Sequence, residues 1–187
     1  MLIRTLFLTS LMPVIALAQG SGSERPAVAL DGYCPVCIVK ADKLVKGDPA
    51  YSSVYDGKKY LFPSAEQQAM FDANPAAFAP AMGGDCVVCK VEMKKQVPGK
   101  PDIHLVHDGR LYLFPSDEQL KMFKANPEKY ADADVAMNGL CPVCKIDMGK
   151  DVKGKPELAY DYHGTRYVFP AEEQLAKFKA NPRRYAK

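Results

Sequence analysis

Apolar and polar residues follow the same order three times along the chain. The segments "YSSVYDGKKYLF", "IHLVHDGRLYLF" and "LAYDYHGTRYVF" are rich in β-branched and aromatic residues on both sides of a central Asp-Gly or His-Gly. Glycine accepts the positive φ that a tight two-residue turn demands. Each segment therefore predicts a β-hairpin.

A helical pattern follows each hairpin. The segments "SAEQQAMFDANP", "SDEQLKMFKANP" and "AEEQLAKFKANP" come after a proline and end at Asn-Pro, which stops a helix. Ser64 with Gln67, and Ser116 with Gln119, have the spacing of a capping box. We expect helix residues in the core at Met70, Phe71, Met122 and Phe123. Aromatics expected to pack back on the helices are Phe78, Tyr130 and Tyr185.

Aligning the chain with itself shows that these patterns belong to a repeated unit. The copies begin at "ALDGYCPVC", "AMGGDCVVC" and "AMNGLCPVC", and they align without a gap. The predicted repeats are 29–79, 81–131 and 136–186, each a cysteine knuckle, a β-hairpin and a short helix in an α+β fold. One residue, Pro80, separates the first two repeats and four separate the last two, so we expect the third repeat to be the more independent.

The amino terminus has the pattern of a secretory signal peptide. Arg4 precedes an apolar stretch from Leu6 to Ala18, and Ala16 and Ala18 form an A-x-A cleavage pattern. We predict a signal peptide at 1–18 and a linker at 19–28. The apolar stretch is short for a membrane span and no second one follows, so we expect a secreted or periplasmic protein without a membrane span after cleavage.

Charge and motif content narrow the function classes. The formal net charge is +3 with both signs interspersed, which does not favour nucleic acid or anionic lipid as a partner. The sequence shows no Ser-His-Asp pattern, phosphate loop or paired catalytic carboxylates, so we expect no enzymatic activity. His104, His107 and His163 fall in the predicted hairpins, where we interpret them as surface turn residues.

Six cysteines form three C-x-x-C pairs, at Cys34/Cys37, Cys86/Cys89 and Cys141/Cys144. In a metal interpretation the two thiolates gain a third ligand from Met93 or Met148. Thiolate and thioether suit Cu(I), whereas zinc favours histidine or further cysteines. Cys144 and Met148 can share an ion only if a helix or knuckle brings positions i and i+4 to about 6 Å. The first repeat has Ala41 at this position.

Two other interpretations of the cysteine pairs remain open. An exported setting favours disulfides, which commonly stabilise small domains. A redox role requires a depressed thiol pKa, and no thioredoxin-like βαβ pattern surrounds the pairs.

A resemblance to the YHS domain, a module related to TRASH metal-binding domains, is carried by "CPVC" and "VYDGKKYLFPSAEQQAMFDANPAAFA". The corresponding segments of the other two repeats share it. Exported bacterial proteins made of tandem copies are similar to this chain. The resemblance implies a small treble-clef-like fold and a link to metal handling. The family's second cysteine pair is replaced, first by Pro63, Pro115 and Pro170, and then by Gln67, Gln119 and Gln174. A four-thiolate zinc site within one repeat is therefore excluded by ligand count.

We predict an exported metal-binding protein of the cell envelope that binds copper, zinc or a similar ion. The predicted metal ligands are Cys34, Cys37, Cys86, Cys89, Met93, Cys141, Cys144 and Met148. The alternative is a disulfide-stapled structural or protein-interaction repeat with vestigial metal sites and envelope proteins as partners.

Overall fold

Three small β-sheets, each accompanied by short helices, make up an α+β structure in the computed structural model, which describes residues 25–186. The predicted signal peptide at 1–18 and most of the linker at 19–28 lie outside the described residues. None of the helices in residues 25–186 combines the length and the apolar character that crossing a bilayer requires.

The same order of elements occurs three times. Residues 29–79 contain a 3-10 turn at Ala29–Gly32, α1 (Pro35–Ala41), β2 (Asp48–Tyr55), β3 (Lys58–Phe62), α2 (Ala65–Ala73) and a 3-10 turn at Pro75–Ala77. Residues 81–131 contain a 3-10 turn at Ala81–Gly84, α3 (Val87–Met93), β4 (Lys100–His107), β5 (Arg110–Phe114), α4 (Asp117–Ala125) and α5 (Pro127–Tyr130). Residues 136–186 contain a 3-10 turn at Ala136–Gly139, α6 (Pro142–Met148), β6 (Lys155–Tyr162), β7 (Thr165–Phe169), α7 (Glu172–Ala180) and α8 (Pro182–Tyr185). A short strand β1 (Ala27–Val28) pairs in parallel with β3.

The three predicted hairpins are confirmed. In the first, β2 and β3 pair antiparallel around Asp56 and Gly57, whose φ angles are 45° and 73°. Two successive positive φ angles are typical of the type I′ turns that match the twist of a hairpin. In each hairpin the second strand ends at the phenylalanine that directly precedes a proline.

The helix after each hairpin is also confirmed, with one error in its core. Phe71, Phe123 and Phe178 are fully buried, and Tyr130 stacks on Phe123 with ring centroids 6.1 Å apart. Met70 was predicted to be core, but it is 36% exposed. It lies next to Phe71 in α2, and adjacent residues of a helix point in different directions.

The serines predicted to cap the helices after the first two hairpins do so. Ser64 Oγ accepts a hydrogen bond from the Glu66 amide at 3.2 Å and also bonds the side chain of Gln67 at 2.6 Å. In α7 the corresponding residue is Ala171, which has no side chain that can cap the helix. The backbone amides in the first turn of α7 therefore have no capping side chain to accept their hydrogen bonds.

A glycine before each first strand touches the second strand of the same hairpin. A Cβ atom added to Gly99 would lie 2.5 Å from the carbonyl carbon of Leu113, and Gly47 and Gly154 have the same close approach. Only glycine permits this contact. This close approach of the glycine holds the loop that follows the cysteine-bearing helix against the sheet.

The third repeat packs closely on the first, contrary to our expectation that it would be the more independent. The Tyr55 hydroxyl accepts a hydrogen bond from the Asp161 amide at 2.7 Å. Asp56 accepts hydrogen bonds from the amides of His163 and Gly164, at 2.6 and 2.7 Å. The first repeat's core cluster also includes Ala159 and Val168 of the third repeat and Leu111 and Leu113 of the second.

The four residues between the second and third repeats contribute to the same packing. Val135 pairs in parallel with Arg166, and the Arg166 amide donates to the Asp134 carbonyl at 2.9 Å. The Asp134 side chain forms an ion pair with Arg110 of the second repeat. A backbone hydrogen bond and an ion pair of this short segment therefore connect the second and third repeats, and Val135 packs against the core cluster of the first repeat.

Candidate metal centre

Each cysteine pair lies at the start of a short helix. Cys141 is the N-cap of α6, and its Sγ accepts a hydrogen bond from the Cys144 amide at 3.4 Å. The corresponding sulfur–amide distances are 3.3 Å in the first repeat and 3.2 Å in the second. The Cys141 amide donates to the Val152 carbonyl at 2.8 Å, which fixes the helix start against the loop leading to β6. All three repeats therefore hold the pair in one arrangement.

The sulfur atoms lie in the protein interior. The first cysteine of each pair is fully buried, the second is buried in Cys89 and Cys144, and Cys37 is half-buried. All six cysteines are free thiols in the structure.

Burial raises the pKa of one thiol in each pair. It raises the pKa of Cys34 to about 12, that of Cys89 to about 12 and that of Cys144 to about 11, and the neighbouring thiol of each pair acts in the same direction. Thiols of this kind are protonated at neutral pH. A redox pair needs the opposite, because the thiolate is the nucleophile in disulfide exchange.

The predicted methionine ligands lie on the same helices as the cysteines. Met93 is the last residue of α3 and Met148 is the last residue of α6, four positions after the second cysteine. The helical conformation that the metal interpretation requires is therefore present. Met93 is 48% exposed and Met148 is 52% exposed. Helical side chains lean toward the amino terminus, which here is the direction of the cysteines.

The donor atoms available near each pair are few. Residues 25–186 contain no cluster of three or more His, Cys, Asp or Glu side chains arranged as metal ligands. The histidines bond elsewhere. His104 contacts the Pro101 carbonyl at 2.7 Å and Asp42 at 2.8 Å, and His107 packs edge-on against Phe123. The surface interpretation is wrong for His104, whose side chain is 11% exposed and bridges the first two repeats.

Sequence reasoning missed one anchoring carboxylate in each of the helices α3 and α6, which carry Met93 and Met148. Glu92 of α3 accepts hydrogen bonds from Lys129 and from the Tyr130 hydroxyl, both at 2.6 Å, and these bonds lower the pKa of Glu92. Asp147 of α6 bonds Arg184 and Tyr185 in the same way. The first repeat has Lys40 at this position, 5.8 Å from the ring centroid of Phe78. The aligned repeats show that the two positions change together: where the acid is replaced by Lys40, the tyrosine is replaced by Phe78.

Comparison with known families gives one match. A family model for the YHS domain matches residues 142–187, which form most of the third repeat and begin directly after Cys141. This is a metal-associated family, and the matched segment carries Cys144 and Met148. No curated protein and no solved structure matches the chain.

Proposed function

We propose that this chain is a metal-binding protein of three YHS-like, treble-clef-like repeats, without a catalytic role, whose C-x-x-C pairs hold a soft metal ion. The observation that carries the proposal is the recurring arrangement of two thiols at a helix start with a thioether one helical turn beyond. The YHS match to residues 142–187 supports it for the third repeat. For residues 29–79 and 81–131 the proposal is supported by the same order of elements.

The donor set fits Cu(I) better than zinc. Two thiolates and one thioether are soft ligands, and soft ligands select Cu(I). A structural zinc site is closed by four nitrogen or sulfur ligands, and the described residues bring no third His, Cys, Asp or Glu to any pair. Cys86, Cys89 and Met93 would hold one ion, and Cys141, Cys144 and Met148 a second. Cys34 and Cys37 would hold an ion with two ligands only.

Binding at these buried thiols is coupled to proton release. The ion takes the place of the thiol protons, so burial that keeps Cys89 and Cys144 protonated also opposes the metal at low pH. We expect the apparent affinity to rise with pH, because each bound ion displaces the proton of Cys89 or Cys144.

An anaerobic Cu(I) titration of the fully reduced chain against a chromogenic chelator tests the proposal. We expect two ions to bind tightly and a third to bind weakly or not at all. Met93→Ala and Met148→Ala should each remove one tight equivalent, and Ala41→Met should add one. Met70→Ala, at a partly exposed position in α2, is the matched control and should change nothing.

Two outcomes of this titration would contradict the proposal in different ways. Three equivalent sites would show that the methionines are not ligands. No uptake by a chain with six free thiols would remove the metal function. It would leave the alternative, a disulfide-stapled structural or protein-interaction repeat, as the better account.

Export to the periplasm or the exterior is the second part of the proposal. It rests on Arg4, the apolar stretch to Ala18 and the A-x-A pattern. The intact mass of the chain recovered from the exported fraction should correspond to a protein that begins at Gln19. Exported material that still begins at Met1 would be the contrary result.

A further inference from the structure

The first C-x-x-C pair differs from the other two in its exposure to solvent. The second cysteine of the pair is 1% exposed in Cys89 and 2% exposed in Cys144, whereas Cys37 is half-buried. Its partner Cys34 is fully buried. Solvent therefore reaches one cysteine of the first pair, while the second and third pairs are closed to it.

The first pair also lacks the donor that the other pairs have on their own helix. Met93 and Met148 are the last residues of α3 and α6, and Ala41 is the last residue of α1. The methyl group of an alanine cannot coordinate a metal. The described part of the chain brings no third His, Cys, Asp or Glu side chain to the pair either. An ion held by Cys34 and Cys37 therefore has a coordination position free for a ligand from outside the chain.

A positive charge lies beside the accessible cysteine. Lys40 follows Cys37 by three positions, and residues at this spacing are neighbours on the surface of a helix. Lys40 is exposed and forms no ion pair within the described residues, and the nearest acid along the chain, Asp42, contacts a histidine of the second repeat. At the corresponding position the other repeats have Glu92 and Asp147, each paired with a basic residue of its own repeat. A lysine without an acidic partner favours an anionic ligand at this end of α1.

A thiolate combines the negative charge and the soft sulfur donor that this site favours. We propose that the first pair is an exchange site, at which a small external thiol supplies the third ligand to a Cu(I) ion held by Cys34 and Cys37. This inference rests on the proposed function. The external thiol loses its proton to water as its sulfur–copper bond forms. The bond from Cys37 to the ion breaks when Cys37 takes up a proton, and the copper remains Cu(I) throughout.

Alkylation of the reduced, metal-free chain tests the accessibility of the first pair without copper. The folded chain is treated with iodoacetamide, and mass spectrometry locates the label at each time point. We expect Cys37 to react at least about tenfold faster than Cys89 or Cys144, because only an accessible thiol meets the reagent. In urea the three cysteines should react at similar rates, which is the control. Equal rates in the folded chain would overturn the inference.

Two-dimensional NMR of the ¹⁵N-labelled chain with three equivalents of Cu(I) tests the exchange itself. Under anaerobic conditions, 2-mercaptoethanol should give saturable shifts of the amide signals of Lys40 and Ala41, and only when Cu(I) is present. The signals of Met93 and Met148 should not shift. Equal shifts at all three helices, or none at α1 while the second and third pairs hold copper, would overturn the exchange site and leave the proposed function in place. No copper uptake by any pair would overturn the proposed function itself.

Two substitutions at Ala41 separate a missing donor from a missing bulk. Ala41→Met supplies the third ligand from within the chain and should weaken the effect of 2-mercaptoethanol by about tenfold or more. Ala41→Leu has a similar size without the sulfur atom and should retain the effect. Both changes lie at an exposed position at the end of α1, where the second and third repeats carry methionine. Equal loss in the two variants would show that the free coordination position is not the cause, and this would contradict the proposal.

Discussion

The contact between Asp56 and the third repeat is large enough to measure by a single substitution. The carboxylate of Asp56 accepts hydrogen bonds from the amides of His163 and Gly164 at 2.6 and 2.7 Å. Hydrogen bonds to charged groups contribute about 1.5 to 3 kcal/mol each, and partial exposure of this site favours the lower figure. Asp56→Ala should therefore lower the free energy of unfolding by about 3 kcal/mol through these two bonds.

The second repeat supplies a matched control for this substitution. Asp108 occupies the same turn position with φ of 49°, against 45° for Asp56, so alanine meets the same backbone strain at both. The Asp108 side chain is 92% exposed and its carboxylate lies 3.5 Å from His107 of its own hairpin. The difference between Asp56→Ala and Asp108→Ala isolates the inter-repeat bonds.

Urea unfolding of the reduced, metal-free chain, followed by far-UV circular dichroism, measures both variants. We expect one cooperative transition in the wild type, shifted strongly by Asp56→Ala and weakly by Asp108→Ala. Equal shifts in the two variants would refute the reasoning. So would a separate transition for the third repeat that Asp56→Ala leaves in place.

Two further predictions concern the loop and the thiols. Gly99→Ala should lower the free energy of unfolding by about 3 kcal/mol in the same assay, because the new Cβ would meet the backbone of Leu113. Gly109→Ala is the control. Its Cβ meets no atom within 4 Å, so it should cost only about 1 kcal/mol for the positive φ. Equal costs would contradict the steric argument. The stability of the reduced chain should fall as pH rises above 9, because the unfolded thiols ionise near pH 9.0 while burial holds the pKa of Cys34 at about 12. Cys34→Ala should make unfolding curves measured between pH 8 and 11 less dependent on pH, and an unchanged dependence would contradict this explanation.

Local structure could be predicted from the sequence because each signal acts over a few residues. The Asp-Gly turns, the prolines after the second strands and the serine caps each depend on the conformational limits of one or two residues. The helical spacing of Cys144 and Met148 could be anticipated as a requirement of the metal interpretation. The sequence did not show that the helix would begin at the first cysteine.

The packing between repeats could not be read from the linker lengths. Four residues before the third repeat suggested independence, but Asp134 and Val135 of that linker contact both Arg110 and Arg166. One signal was available in the hairpin itself. Asp161 and Arg166 are directly opposite across β6 and β7, so the turn position already placed them as a cross-strand ion pair. Their burial depends on the first repeat, which no local pattern reveals.

X-ray absorption spectroscopy of the copper-loaded chain tests the central claim most directly. The fully reduced chain is loaded anaerobically with two equivalents of Cu(I), desalted, and measured at the copper edge beside a variant that carries Cys86→Ser and Cys141→Ser. We expect retained copper with a coordination shell of sulfur only in the wild type, and loss of tightly held copper in the variant. Copper held by nitrogen or oxygen ligands, or retained equally by the variant, would contradict the assignment of the C-x-x-C pairs as soft-metal sites.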